Sequence, residues 1–174
     1  MQTKRLKSGE RDTARQLFAV MADVFNEECE ALNDGYIDRL LAREDFWMLA
    51  ALLDDQVIAG LTAHSLPMTT AEESELFLYD IAVRRDHQRT GVGRRLITEL
   101  LEKAAACGIK SVFVAADNED VHALDFYRAL DGTAGPVTVF TFSPRAITDN
   151  PSPGNQGRGI AVGLDPHAQD RRKR

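Results

Sequence analysis

Apolar residues recur along the chain with two different periods, which distinguish the predicted helices from the predicted strands. Three- and four-residue spacing in residues 10–25, 36–43, 92–107 and 121–130 predicts four amphipathic helices. Short apolar or alternating runs predict six strands, at residues 3–7, 46–53, 56–65, 75–83, 111–115 and 137–142. The order β-α-α-β-β-β-α-β-α-β indicates an α/β fold of the mixed-sheet kind, with at least one right-handed strand–helix–strand crossover.

The pattern stops near Ser143, where Pro, Gly, Asn and Arg replace the apolar residues. We therefore predict one folded domain over residues 1–144. Residues 145–174 are interpreted as a poorly ordered tail outside the core, to which the sequence assigns no function.

Composition fits an ordinary globular protein. The chain has 174 residues, of which 44% are hydrophobic and 28% charged, enough for one domain with its own core. No apolar stretch approaches the length of a membrane span, and residues 1–12 do not resemble a signal peptide. Two cysteines suggest no disulfide framework. These features favour a cytoplasmic protein without a membrane partner.

Charge is distributed unevenly. Residues 1–80 contain 16 acidic and 7 basic residues, residues 81–144 contain 8 of each, and the tail is basic. An acidic first half favours a cationic partner and argues against nucleic acid.

A glycine-rich turn separates the strand at 75–83 from the helix at 92–107. Glycines let the backbone approach a ligand, and the free N–H groups of the following helix form an anion site suited to a pyrophosphate. The alternative is a tight turn with no ligand. The turn residues are Gln88, Arg89, Thr90, Gly91, Val92, Gly93 and Arg94.

This turn, taken with the strand Leu78-Tyr79-Asp80-Ile81-Ala82-Val83, resembles the Q/R-x-x-G-x-G/A signature of the GNAT superfamily of N-acetyltransferases. The resemblance covers about residues 3–142. It implies a central, mostly antiparallel sheet that is splayed at a β-bulge and flanked by helices. It also implies that the turn binds the pyrophosphate of acetyl-CoA, with the backbone of Ile81, Ala82 and Val83 along the pantetheine arm.

The late helix carries a second part of the resemblance. Ala123 and Tyr127 match the family's pattern N-x-x-A-x-x-x-Y-x-x-x-G, and their four-residue spacing places them on one helical face. The resemblance implies that Ala123 contacts the cofactor and that the Tyr127 hydroxyl protonates the departing thiolate. Without the motif, Tyr127 would be interpreted as a core aromatic with its hydroxyl at the surface.

An attacking amine must lose a proton, and a carboxylate is the natural acceptor. Asp80 is the preferred base because it lies beside the cofactor-binding stretch; strand alternation places Tyr79 on the opposite face. Asp80 could instead order the bulge. The other candidates are Glu75, Asp117, Glu119 and Asp120.

A closer resemblance is to the GNAT-type aminoglycoside 3-N-acetyltransferases, carried by Tyr79–Val83, by the Ala123–Tyr127 stretch and by Val139-Phe140-Thr141-Phe142. It implies transfer to a cationic aminoglycoside. The acidic run over residues 23–45 fits such a substrate, although a solvated helix face is the ordinary alternative. The predicted substrate-binding residues are Glu27, Glu28, Tyr79, Asp80, Asp117, Glu119 and Asp120.

Histidine and cysteine spacing indicates no metal site, and the expected chemistry is direct transfer. Two alternatives stay open: transfer to another amine, such as a polyamine, a small metabolite or a protein, and a non-catalytic acetyl-CoA sensor. GNAT domains often dimerise, so a homodimer is expected.

Overall fold

A computed structural model describes residues 1–28 and 31–143 of the chain. Cys29, Glu30 and the predicted tail lie outside these residues. The elements in chain order are β1 (Gln2–Arg5), α1 (Arg11–Phe25), α2 (Asp34–Leu41), β2 (Phe46–Leu53), β3 (Gln56–Pro67), β4 (Ser74–Val83), α3 (Val92–Ala106), β5 (Ser111–Val114) and α4 (Val121–Arg128), with a single 3-10 turn at Arg85–His87.

The five strands form one sheet in the order β1-β2-β3-β4-β5. The first three pairings are antiparallel, and only β4 and β5 run parallel. A parallel pair needs a long crossover, and α3 supplies it between these two strands. The expected mixed α/β fold with a mostly antiparallel sheet is therefore confirmed.

Two apolar cores lie on opposite faces of the sheet. One contains Leu76, Leu96 and Leu100, with Phe126 and Tyr127 of α4 packed against it. The other contains Leu17 of α1 and Ile37 of α2. We call these the α3/α4 face and the α1/α2 face. The sheet is thus covered by helices on both sides.

Helix α1 lies very close to β3, and Gly60 makes this approach possible. A Cβ at Gly60 would clash with the Leu17 side chain and come 2.5 Å from the carbonyl oxygen of Leu49. Any larger residue would push α1 off the sheet, together with the loop that follows it.

Most predicted elements are present, with ends displaced by two residues or fewer. The strand predicted at residues 137–142 is wrong, because residues 133–143 contain no strand. Val137 and Phe142 are 79% and 85% exposed. The segment has the residue pattern of a strand, but a strand forms only when its backbone finds a partner.

None of the helices within residues 1–28 and 31–143 is both long enough and apolar enough to span a bilayer.

Candidate active site

The site begins with a bulge in β4. Thr62 of β3 pairs with Asp80, but the next residue, Ala63, pairs with Leu78, so Tyr79 is an extra residue. Leu78 and Ile81 consequently both join the α3/α4 core although they are three residues apart. The bulge therefore reverses the alternation of the strand and turns Asp80 toward the α1/α2 face.

Asp80 is half-buried, and Thr62 Oγ1 donates a hydrogen bond of 2.8 Å to its Oδ2. Burial raises the pKa of Asp80 above its ordinary value; the Thr62 hydrogen bond opposes this shift, and the negative charge of Glu27 adds to it. A carboxylate with a raised pKa is a stronger proton acceptor than an ordinary aspartate.

His64 lies beside Asp80, and sequence reasoning missed it. Its ring centroid is 5.6 Å from that of Tyr79, and its charge interacts with Asp80. Burial, with added repulsion from Arg43, lowers the pKa of His64. Strict alternation would have separated Tyr79 from Asp80, but because of the bulge both approach the same histidine. Sequence reasoning could not predict this contact, because no residue type indicates the position of the bulge.

Of the acidic run over residues 23–45, several members are ion-paired. Arg11 donates to both carboxylate oxygens of Asp38 and to Asp34, and Arg15 also binds Asp34. Asp45 pairs with Arg43 at 2.7 Å. The arginines of α1 reach across to α2, which sequence proximity does not reveal.

Glu27 and Glu28 follow the C-terminal end of α1 and are exposed. The charge of Glu27 is felt at Asp80, so this loop carries negative potential to the bulge. Among the described residues, Glu27 is thus the member of the acidic run whose charge acts on Asp80, and it is placed to attract a cation.

The predicted phosphate turn has the backbone of an anion site. Gly91 is the N-cap of α3 with φ 88°, and Arg89 is also left-handed with φ 61°. A Cβ at Gly91 would meet nothing within 4 Å. Within the described part of the chain, no backbone N–H of residues 89–94 donates to another backbone group. These free donors at a helix N-terminus suit a phosphate group.

The turn opens onto a cavity of about 620 Å³ between β4, α3 and α4. Strand β5 pairs with β4 only as far as Leu78, so the β4 backbone beyond it has no strand partner on this side. The cavity is lined by Ile81, Val83, His87, Gln88, Arg89, Gly91, Gly93, Arg94, His122, Asp125, Phe126 and Ala129. The sequence did not single out His87, His122, Asp125, Phe126 or Ala129; four of them come from α4 and its end, and His87 lies in the 3-10 turn.

Two polar side chains of the turn hold the cavity walls together. Gln88 Nε2 donates to the Val83 carbonyl at 3.0 Å, and Arg94 donates to the Ala129 carbonyl at 2.8 Å. Gln88 thus fixes the turn to β4, and Arg94 fixes α3 to α4. Both carry side chains whose remaining donors face the cavity they line.

Four predicted cofactor residues contribute no side chain to the cavity. Ala82, Val92 and Ala123 are buried in the cores, and Thr90 donates to the His87 carbonyl within the turn. Ala82, Val92 and Ala123 could therefore contact a ligand only through their backbone, whereas Thr90 is exposed.

Tyr127 is half-buried, but its hydroxyl oxygen is buried, and within the described residues that hydroxyl has no hydrogen-bond partner. Burial raises the pKa of Tyr127, and the charge of Asp120 adds to this shift, so the hydroxyl keeps its proton at neutral pH. A buried hydroxyl without a partner is costly and rare in a folded protein, so a ligand that accepts its proton would satisfy it.

The acids that follow β5 are engaged locally. Asp120 caps α4 by accepting from the Ala123 N–H at 2.9 Å, and Asp117 accepts from the Glu119 N–H at 2.9 Å. Glu75 lies at the far end of β4, beside Ser111 and away from the bulge. Asp80 is therefore the carboxylate with the geometry of a base.

These features fit acetyl-CoA. The free backbone N–H groups of the turn match a pyrophosphate, and the β4 edge beyond Leu78, which pairs with no described strand on this side, matches an extended amide-bearing arm. Tyr127 packs against the α3/α4 core and is not among the residues that line the cavity. Within residues 1–28 and 31–143, no three His, Cys, Asp or Glu residues cluster as metal ligands would.

Known proteins share this arrangement. The sequence model of the acetyltransferase (GNAT) family matches residues 12–131. None of the curated proteins matches the chain significantly.

Solved structures give closer comparisons. The aminoglycoside acetyltransferase meta-AAC0020, from an uncultured soil metagenomic sample, is 30% identical with a TM-score of 0.79 over 83% of this chain and 96% of its own; it was solved with trehalose and with sisomicin. The aminoglycoside acetyltransferase HMB0005, also from an uncultured soil metagenomic sample, is 32% identical with a TM-score of 0.79 over 83% and 98%. AAC(6')-Iy, solved with a CoA bisubstrate analogue, has the same fold at 14% identity, with a TM-score of 0.69 over 82% and 97%.

Proposed function

The chain belongs to the GNAT acetyltransferase family, and we propose that it transfers the acetyl group of acetyl-CoA to an amine of an aminoglycoside antibiotic. The observation that carries this proposal is the placement of Asp80. The β4 bulge turns this half-buried carboxylate toward Glu27, while the next residues of the same strand line the cofactor cavity. Asp80 and the cavity-lining Ile81 are thus neighbours on β4 but face opposite sides of the sheet, and the proposal requires the acetyl end of the cofactor to reach Asp80 past the open edge of β4 beyond Leu78.

Acetyl-CoA, when bound, supplies the acetyl group as a thioester. The N–H groups of residues 89–94 and the charges of Arg89 and Arg94 bind its pyrophosphate. The Ile81 and Val83 side chains form the apolar wall along its arm.

The acceptor is a polycation. Aminoglycosides carry several ammonium groups, and the Glu27–Glu28 loop provides the negative charge that attracts them. Two relatives with 30% and 32% identity are aminoglycoside acetyltransferases, and one of them binds sisomicin. The 3-amino group is our choice of reacting amine, because the sequence most resembles enzymes of that regiochemistry.

We assign each catalytic step to a group of this chain. Asp80 accepts the proton of the attacking ammonium group, and its raised pKa suits it to that task. Backbone N–H groups of the β4 stretch beyond the bulge donate to the acetyl oxygen as charge develops there. The Tyr127 hydroxyl donates its proton to the sulfur.

The test is release of free CoA thiol from acetyl-CoA in the presence of gentamicin or sisomicin, with spermidine and no acceptor as comparisons. Aminoglycoside-dependent release, followed by NMR of the product, establishes the acceptor class and the regiochemistry. Release with spermidine alone moves the proposal to another amine, and cofactor binding without release for any amine supports a sensor. Raised aminoglycoside tolerance of cells that express the protein tests resistance.

Asp80→Asn tests the base. We expect kcat/KM to fall by about 100-fold or more, because general base catalysis contributes roughly 10²–10⁴. Glu102→Gln, the matched change of an exposed acid on α3, keeps wild-type activity. Near wild-type turnover by Asp80→Asn would refute the assigned role.

A further inference from the structure

Aromatic rings from four strands form a continuous row across the α1/α2 face. Phe46 pairs with His64, His64 with Phe77, and Phe77 with Phe113. Centroids are 4.9 Å apart for Phe46 and His64 and 5.1 Å apart for Phe77 and Phe113, and Tyr79 lies 5.6 Å from His64 and 5.7 Å from Phe77. We call these five residues the aromatic row.

The fold uses only part of this row. Phe46 packs against the α1/α2 core, whereas Tyr79 is 43% and Phe113 41% exposed, and the other two rings are half-buried. Single exposed apolar residues are ordinary, but a contiguous exposed patch next to a site marks a binding surface.

The charges around the row select its ligand. Asp80 lies beside His64 and Tyr79 and has no paired cation among the described residues, whereas the two charges near the Phe46 end, Arg43 and Asp45, are paired with each other. A cationic ligand is therefore drawn to Asp80 and then toward Phe113, along the more exposed half of the row. Neutral rings also attract ammonium groups to their faces.

The length of the row indicates a ligand with several rings. Strands are spaced about 4.8 Å apart, so a row over four strands spans about 14 Å, more than a single sugar ring covers. Sugar rings present C–H groups on one face, and these stack on aromatic side chains as other apolar surfaces do.

We propose that the aromatic row is the platform on which the acceptor lies: the ring with the reacting amine rests on Tyr79 and His64 beside Asp80, and a further amino-sugar ring stacks on Phe77 and Phe113 at the sheet edge. This inference rests on the proposed function and adds to it the direction in which the acceptor extends. Phe113 then determines selectivity between acceptors with one ring and with several.

The test compares Phe113→Leu, which keeps an apolar side chain but removes the ring, with Phe113→Tyr, which keeps the ring. Phe142→Leu is the matched control, since this exposed phenylalanine lies outside the row. KM is measured for sisomicin, with three rings, and for 2-deoxystreptamine, its central ring alone; where the single ring is not acetylated, its Ki against sisomicin replaces its KM. Melting temperature and acetyl-CoA affinity verify that each variant is folded.

We expect Phe113→Leu to raise the ratio of the sisomicin KM to the 2-deoxystreptamine KM about fivefold, the effect of one lost ring contact. Phe113→Tyr and Phe142→Leu keep the wild-type ratio. If the ratio is unchanged in Phe113→Leu, including the case in which both KM values rise equally, the platform is overturned and the proposed function stays intact. A wild-type protein that acetylates no aminoglycoside overturns the proposed function and the platform with it.

Discussion

Removing the Thr62 hydroxyl is the sharpest test of how the bulge prepares Asp80. Thr62 is 3% exposed and donates its one side-chain hydrogen bond to the Asp80 carboxylate. This bond stabilises the ionised form, which is the form that accepts a proton, and it opposes the rise in pKa that burial causes. Thr62→Val has nearly the same shape and removes only the donor.

A hydrogen bond to a charged group contributes about 1.5–3 kcal/mol. Because Asp80 is half-buried, water replaces part of the lost bond, so the lower figure applies. A loss of about 1.5 kcal/mol corresponds to roughly a tenfold fall in the ionised fraction on the acid side of the profile. We therefore expect kcat/KM of Thr62→Val to be about tenfold lower there.

The sign of the pH dependence follows directly. The substitution raises the pKa of Asp80 further, so the acid limb of the kcat/KM profile moves to higher pH. At a pH where Asp80 is ionised in both proteins, the activity of the variant approaches that of the wild type. Thr62→Ser retains the hydroxyl donor, so we expect the acid limb of its kcat/KM profile to stay at the wild-type pH. A loss that is the same at every pH, or a limb that does not move, would contradict the reasoning.

The remaining predictions concern four single residues. Asp80→Asn raises the melting temperature at pH 7 but not at pH 3. The raised pKa means that the ionised carboxylate destabilises the fold, and this destabilisation disappears below the ordinary pKa of aspartate, where the group is protonated in both the folded and the unfolded chain. An equal effect at both pH values would argue against burial as the cause. Tyr127→Phe lowers kcat by about tenfold or more without weakening acetyl-CoA binding or lowering the melting temperature, since the hydroxyl has no partner within the described residues; a clear loss of stability would reveal a structural role. Gly91→Ala places a side chain at φ 88° and costs about 1–2 kcal/mol, which we expect to appear as about a tenfold rise in the acetyl-CoA Kd measured by calorimetry. Gly60→Ala destabilises the fold by about 3 kcal/mol in urea unfolding, because its Cβ would lie 2.5 Å from a backbone oxygen; a loss below about 1 kcal/mol would mean that α1 shifts freely.

More of the candidate cofactor site than of the candidate acceptor site could be proposed from the sequence. The turn from Gln88 to Arg94 is contiguous, so its glycines and the helix that follows are enough to predict an anion site there. The neighbours of Asp80 come instead from β3 and from the loop after α1, and no sequence pattern shows that Thr62 pairs with Asp80 or that His64 pairs with Phe77.

Two errors share a physical cause. Alternation predicted opposite faces for Tyr79 and Asp80 and a strand at residues 137–142, but alternation describes side chains and not hydrogen-bonded partners. A bulge inserts a residue without changing the pattern, and a strand pattern without a neighbour stays irregular. The homodimer, the tail and the boundary at 144 stay predictions.

The bulge also divides β4 into two stretches whose side chains belong to different surfaces. Before Tyr79, the residues of β4 that face the α1/α2 side belong to the aromatic row; after it, Ile81 and Val83 face the cofactor cavity. One strand thus carries two surfaces, on opposite faces of the sheet, whose side chains can be substituted separately. Libraries that randomise positions 46, 64, 77 and 113 can redirect such an enzyme to new amines while its demand for acetyl-CoA stays constant.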